Sequence, residues 1–251
     1  MVAAHEAALA ALAKDPRSSI ELDRVMAAEV GPIDSPVPRI YWRHLAALVP
    51  MVHVPHDGEG YGRSRYAVAT EWLKVKQPEI DVADARAHVT RRYLAAFGPA
   101  TIDDLVAYVG RGRGGIGAWR DAIAALGHEV VELRDEAGRV LLDLESAPRP
   151  GADVEAPPRL LARWDSLLLS HAPKARDRII EDRRRSAVFS KNADVLPTLL
   201  VDGKVAGTWE LVRNDGTARI RLRPFGRLAP TDRKALEAEA ERMLAIVSPG
   251  A

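Results

Sequence analysis

The stretch Phe97-Gly-Pro-Ala-Thr-Ile-Asp-Asp-Leu105 ends one helix and begins another, and the order of elements can be read outward from it in both directions. Gly98 supplies a permissive backbone and Pro99 removes the next N–H donor, so a helix arriving at Phe97 stops there. Thr101 is a capping residue, with Asp103 and Asp104 in the first turn, where the helix dipole favours negative charge. Upstream, Ala85 to Phe97 has the helical period, with Val89, Tyr93 and Leu94 facing inward. Downstream, the capped helix reaches Val109 and a turn runs from Gly110 to Gly115. A third helix then carries an apolar stripe of Ile116, Trp119, Ile123 and Leu126. Strands at Val130 to Leu133 and Val140 to Leu142 follow, joined about Asp135 to Gly138. Three helices and a β-hairpin in this order make a winged helix.

The same order precedes it. Ala3 to Leu12 reads as a helix, and Ser18 or Ser19 can cap a second from Ile20 to about Val30, stopped by Gly31 and Pro32. Ser35 precedes a third helix on which Ile40, Leu45, Leu48 and Val49 lie near the helical period. Val52 to Pro55 and Tyr66 to Ala69 read as strands about the Gly-rich turn His56 to Arg65. Beyond Leu144, four prolines between Ser146 and Pro158 mark a linker. Thr198 to Val201, Lys204 to Val212 and Ala218 to Arg223 form an antiparallel meander around Asp202-Gly203 and Asn214-Asp215-Gly216, and Thr231 caps a closing helix. The expected fold is α+β: a winged-helix domain over 1–77, a second over 78–145, and a C-terminal β-rich domain over 146–251.

The 251 residues carry 36 Lys plus Arg against 35 Asp plus Glu, a formal charge of +1. That balance excludes a uniformly polycationic binder but not one whose basic residues are segregated on a face. Lys174 to Lys191 shows such segregation, with seven basic residues against three acidic ones. This run reads either as a basic surface or as a solvated helix laced with ion pairs such as Arg178 with Asp182. The absence of cysteine excludes disulfides, thiolate catalysis and zinc fingers, and fits a reducing, cytoplasmic setting at the nucleoid. Met1 to Leu12 lacks the basic start and the length of a signal peptide or membrane span.

Gly110-Arg-Gly112-Arg-Gly114-Gly115 matches the dinucleotide fingerprint, but that mechanism needs a buried strand before the first glycine, and Thr101 to Val109 begins like a helix. The segment reads as a helix-helix turn. His53-x-x-His56-Asp57 offers too few ligands for a metal site. No small-molecule cofactor or metal is expected, and the common hydrolase, zincin and P-loop motifs are absent from the sequence. The basic residues are more informative. In a winged helix the third helix can enter the major groove while the wing reaches phosphate or the minor groove. This places Arg39, Arg43, Arg63 and Arg65 of the first copy, and Arg111, Arg113 and Arg120 of the second, as candidate contacts to double-stranded DNA. Arg176 and Arg178 add support from the basic run.

Three segments also carry a family resemblance: Arg92-Tyr-Leu-Ala-Ala-Phe-Gly-Pro-Ala-Thr101, Leu160-Leu-Ala-Arg-Trp-Asp165, and Pro197-Thr-Leu-Leu-Val-Asp-Gly-Lys-Val-Ala-Gly-Thr-Trp209. In order and spacing they resemble the bacterial winged-helix DNA-binding family that includes the AlkZ-type DNA glycosylases. Tyr66-Ala-Val-Ala-Thr-Glu-Trp-Leu73 extends the likeness more weakly toward the N-terminus. The resemblance implies tandem winged helices and a C-terminal β-rich domain around a DNA-binding surface, with a link to DNA repair; characterised relatives remove alkylated or cross-linked bases. Those enzymes use two glutamines separated by one residue, and this chain contains one glutamine, Gln77. No catalytic residue carries over, and the pattern is entered late, as though an N-terminal segment were absent. Duplex binding is therefore the leading expectation. Base excision, sequence-specific regulation of transcription and protein docking are the alternatives.

Overall fold

The computed structural model describes residues 2–31, 34, 40–54, 64–76, 79–110, 114–151, 153–190, 194–214 and 217–247. The chain divides into two compact units, Met1–Glu79 and Ile80–Ala251, and mixes helix with antiparallel sheet throughout. Among the described residues no helix is long and apolar enough to cross a membrane.

The first unit opens with α1 (Val2–Lys14), an alanine-rich segment of high helix propensity whose Ala4, Ala8 and Leu12, spaced by four, are buried. Strand β1 (Arg17–Ser18) follows, and Ser18 then caps α2 (Ser19–Val30). The Ser18 hydroxyl accepts the Glu21 N–H at 3.3 Å, while the Glu21 carboxylate accepts the Ser18 N–H at 2.7 Å. The Ser18 bonds, backbone first, hold Glu21 below the usual carboxylate pKa range. Helix α3 (Ile40–Leu48) buries Tyr41 and Leu45, and its Trp42 N–H donates to Asp23 of α2 at 2.9 Å. Strands β2 (Met51–Val54) and β3 (Arg65–Val68) and the short helix α4 (Ala69–Leu73) complete the unit. The sheet order is β1-β3-β2.

The second unit begins with the same arrangement. Helix α5 (Val82–Phe97) is capped by Asp81 and ends at Gly98, and α6 (Ile102–Val109) is capped by Thr101, with Asp104 completing a reciprocal box. Helix α7 (Gly115–Leu126) buries Trp119, Ala122 and Leu126. Strands β4 (Val130–Arg134) and β5 (Val140–Leu144) pair antiparallel. A single bridging residue, Ala100, adds to the outer edge of β5: its N–H donates to the Leu142 carbonyl at 2.9 Å and its carbonyl accepts at 2.8 Å. The first unit up to β3 and the second up to β5 therefore run helix, edge residues, helix, helix, strand, strand, with the edge residues paired to the second strand of the hairpin.

The remainder of the second unit is tied to α5 and α6 by hydrogen bonds from the Tyr93 hydroxyl to the Ser170 carbonyl and from the Ala172 N–H to Asp104. Strand β6 (Arg159–Leu161), helix α8 (Ser166–Leu169), strands β7 (Thr198–Val201), β8 (Lys204–Asn214) and β9 (Thr217–Pro224), and helix α9 (Pro230–Val247) follow in sequence. The expected three-stranded meander is a four-stranded sheet, β6-β7-β8-β9, because Arg159–Leu161 pairs with Thr198–Leu200. Helix α9 covers one face through buried Leu236 and Ala240. It starts at Pro230, so Thr231 lies in its first turn rather than before it.

The Lys174 to Lys191 run is not one solvated helix. It forms two 3₁₀ turns, Pro173–Arg178 and Asp182–Ala187, as far as the described residues extend. Ala175, Ile179, Ile180 and Val188 are buried, a spacing that no single α-helical face accommodates. Arg178 turns inward instead of pairing with Asp182, which pairs with Arg185 at 2.7 Å.

Candidate nucleic-acid interface

Two of the nine candidate arginines occupy corresponding places in the two units. Arg43 is exposed on α3, on the side away from buried Tyr41 and Leu45. Arg120 is exposed on α7, next to buried Trp119 and beside exposed Asp121. In both cases the apolar stripe faces the core, so the guanidinium is left on the outer face of the third helix. Arg39, Arg63, Arg111 and Arg113 lie outside the described residues, as does His56. The segment before Gly110 is helix α6, not a strand, so the glycine-rich turn lacks the context of a dinucleotide loop. His53 is exposed on β2 and packs its ring against Tyr66, with centroids 4.6 Å apart.

Arg65, Arg176 and Arg178 make contacts within the fold. Arg65 donates from Nε and NH2 to the Pro16 carbonyl at 2.9 and 2.6 Å, and sits 3.9 Å from Glu21, so it fastens β1 and the α2 cap to β3. Arg176 donates to the His171 carbonyl at 3.1 Å and lies 4.8 Å over the Phe189 ring. Arg178 donates to the Pro99 carbonyl at 3.0 Å and approaches His171 Nε2 at 3.2 Å. Arg139 in the β4–β5 turn is held by Asp135 at 2.6 Å. A guanidinium saturated by internal acceptors has fewer N–H groups to offer a phosphate.

The anchors around Arg178 form a buried polar cluster joining α5 and α6 to the segment after α8. Tyr93 donates its hydroxyl to the Ser170 carbonyl at 2.8 Å, and the Ala172 N–H donates to Asp104 Oδ1 at 2.8 Å. Ser170 Oγ donates to the Leu167 carbonyl at 2.9 Å and lies 2.7 Å from His171 Nδ1. A hydroxyl has one proton, so Nδ1 carries the hydrogen toward Ser170 and Nε2 accepts from Arg178, which assigns a neutral imidazole. Burial first, and the Arg178 charge second, hold His171 below its ordinary pKa. Burial likewise pushes the Tyr93 phenol far up. With both groups enclosed, the cluster fastens the fold and presents nothing to a ligand.

A basic surface not anticipated from the sequence lies on β9. Arg219, Arg221 and Arg223 alternate with inward residues and are all exposed. Its signature is the period-two pattern in Thr217-Ala-Arg-Ile-Arg-Leu-Arg-Pro224, legible as a strand with a charged outer face. Cross-strand from it, Glu210 accepts from Arg221 and from Arg223, each at 2.8 Å. The Arg223 hydrogen bond is the main influence keeping the Glu210 carboxyl below its usual range.

Comparison with known proteins sets this arrangement in a family. The family model described as "DNA glycosylase AlkZ-like" matches residues 1–246. An interstrand DNA cross-link repair glycosylase from Streptomyces sahachiroi is 28% identical over 172 residues, covering 68% of this chain and 44% of that protein. The solved structure of the Streptomyces sahachiroi DNA glycosylase AlkZ superposes with a TM-score of 0.68 at 22% identity, over 97% of this chain and 66% of that one. The chain thus spans less than two thirds of the relatives it matches.

Proposed function

Because the chain belongs to the AlkZ-like DNA glycosylase family, a DNA-repair family, we propose that it binds double-stranded DNA through two winged-helix units. The observation that carries this reading is the repeated element order, with Arg17–Ser18 paired to β3 and Ala100 bridged to β5, and an exposed arginine on each third helix, Arg43 and Arg120. On that geometry α3 and α7 lie toward the duplex, and their arginines meet phosphates. The antiparallel pairs β2–β3 and β4–β5 take the place of wings, and the β-rich segment after residue 146 extends the surface.

A second reading follows from the name of the relative: excision of a damaged base. That chemistry needs an activated water and stabilisation of charge at the sugar. The single glutamine of this chain cannot form the paired-glutamine motif of the resembled enzymes. Selection from a random duplex library separates the readings. Uniform retention supports general duplex binding, enrichment of one site supports regulation of transcription, and no retention at low salt overturns the proposal. Appearance of abasic sites in alkylated duplex would transfer the chain to the excision reading.

A further inference from the structure

Strand β9 stands at one end of the β6-β7-β8-β9 sheet, and its 8 residues pair with β8 on one side only. Counted from the Asn214–Thr217 pair that closes the hairpin, Arg219, Arg221 and Arg223 turn their backbone groups toward β8, and Ala218, Ile220 and Leu222 turn theirs outward. Among the described residues no backbone group pairs with that outer row. Pro224 follows the same alternation, and its missing N–H falls on the open side, where no ladder bond is lost. An unpaired strand edge of this length is a template for one more strand.

Two surfaces of different character meet along this edge. On the inner side, Ile220 and Leu222 of the strand and Ala240 and Leu244 of α9 wall a groove of about 470 Å³, whose rim Arg219 and Arg221 reach. On the outer face Arg219, Arg221 and Arg223 are exposed, and β8 and β9 together hold one carboxylate, Glu210, a single oxygen of which accepts from both Arg221 and Arg223. Arg219 has no ion pair among the described residues. The acids that line the groove, Glu237 and Glu241, belong to α9, where Glu237 lies 4.0 Å from Arg233. Successive side chains of an added strand point to opposite faces, so one set enters the apolar groove and the other lies beside the arginine row. A second copy of this chain is a poor occupant, because antiparallel pairing of two β9 edges sets their arginines side by side. A nucleic-acid strand lacks the alternating N–H and carbonyl groups that match a strand edge. The complementary occupant is a peptide in which apolar and acidic residues alternate.

We propose that β9 accepts an added antiparallel strand from a partner protein, an extended segment whose apolar side chains fill the α9 groove and whose acidic side chains meet Arg219 and Arg221. This goes beyond the duplex-binding reading and does not depend on it. The test is fluorescence anisotropy of the wild-type chain with a labelled peptide of alternating valine and glutamate, matched in length to β9. Exchanging glutamate for lysine weakens binding about tenfold. Backbone methylation gives a readout that charge alone does not move. The valines lie opposite Ile220 and Leu222 and turn their N–H groups to β9, so N-methylation at valine abolishes binding and N-methylation at glutamate leaves it. Arg219→Glu, at an exposed residue with no ion pair to lose, keeps the fold and shifts the preference about tenfold toward the lysine peptide. No binding of the glutamate peptide, equal binding of the two charge forms, or an equal effect of the two methylations overturns this inference while the duplex-binding reading stands. A wild-type chain that retains duplex DNA but no peptide, with that retention lowered by Arg219→Glu, assigns the arginine row to nucleic acid and also overturns it. So does a chain that sediments as a dimer and takes no peptide, which assigns the edge to a second copy.

Discussion

Replacing Asp104 with alanine should destabilise the Ile80–Ala251 unit by about 3 kcal/mol. The carboxylate is fully buried. One oxygen accepts from the Thr101 N–H at 2.9 Å and the Thr101 hydroxyl at 2.8 Å, and the other from the Ala172 N–H at 2.8 Å. The first pair is half of the α6 capping box, and loss of such a cap costs about 1 kcal/mol. The Thr101 and Ala172 N–H groups also lose a charged acceptor in a partly buried setting, at about 1 kcal/mol or more each. For a unit of this size 1 kcal/mol corresponds to about 2–4 °C, so the melting temperature should fall by about 6–12 °C. Asp103 is the internal control. It sits in the same first turn but is exposed, so Asp103→Ala should cost no more than about 1 kcal/mol through the helix dipole. Asp104→Asn should resemble Asp104→Ala, because an amide nitrogen in place of Oδ2 would face the Thr101 N–H donor to donor. Thermal and urea melts of the four proteins, with hydrogen exchange to localise the loss to Ile80–Ala251, provide the measurement. If Asp104→Ala falls within 1 kcal/mol of Asp103→Ala, the carboxylate does not fasten α6 to the segment at Ala172, and the reasoning is refuted.

Other perturbations follow from the same contacts. His171 has a folded-state pKa below its ordinary value of 6.5, so its stabilisation is present above that pH and is lost as the pH falls below it; melts between pH 7.5 and 5.5 should show a decline that His171→Gln flattens. Arg65→Ala should destabilise Met1–Glu79 by about 1–2 kcal/mol through loss of its bonds to the Pro16 carbonyl, read as increased hydrogen exchange in β1 and the first turn of α2, while Arg65→Lys restores only part. A methyl group on Gly207 would lie 2.5 Å from the Arg223 carbonyl oxygen and 2.6 Å from Pro224 Cα, both backbone, so Gly207→Ala should cost about 1–3 kcal/mol and loosen the end of the β8–β9 pairing. Equal melting of that variant and the wild type would mean that the strands can separate there without cost.

What could be read from the sequence was what is specified within a few residues. Thr101 with Asp104, and Ser18 with Glu21, announce helix starts because both partners of each capping box lie within one turn. The Asp202-Gly203 turn, with φ of 49° and 68°, is equally local. Strand β1 escaped because two residues have no period, and it exists only by pairing with Arg65 and Tyr66 far along the chain. The same separation hid the role of Arg65. Its place beside the first hairpin turn reads as that of a phosphate ligand, and within the fold it donates to a carbonyl 49 residues earlier. Arg178 has no local signal for a related reason: its neighbours in sequence are charged, but its partners are Pro99 and His171. The β9 ladder follows the period of two in Thr217–Pro224, a local signal. The left-handed backbone of Trp164, held by contacts to Asp194 and Val195, has no local sequence signal.

The most direct test of the account is the salt dependence of duplex binding by the wild-type chain and by the double variant Arg43→Glu, Arg120→Glu. Each phosphate contact contributes about −0.9 to the slope of log K against log salt. The account predicts tight binding at low salt, a steep negative slope, and for the double variant a weaker affinity with the slope reduced by about 2, whatever the duplex sequence. An unchanged slope in the variant, or wild-type affinity indifferent to salt, would contradict the placement of α3 and α7 against the DNA backbone.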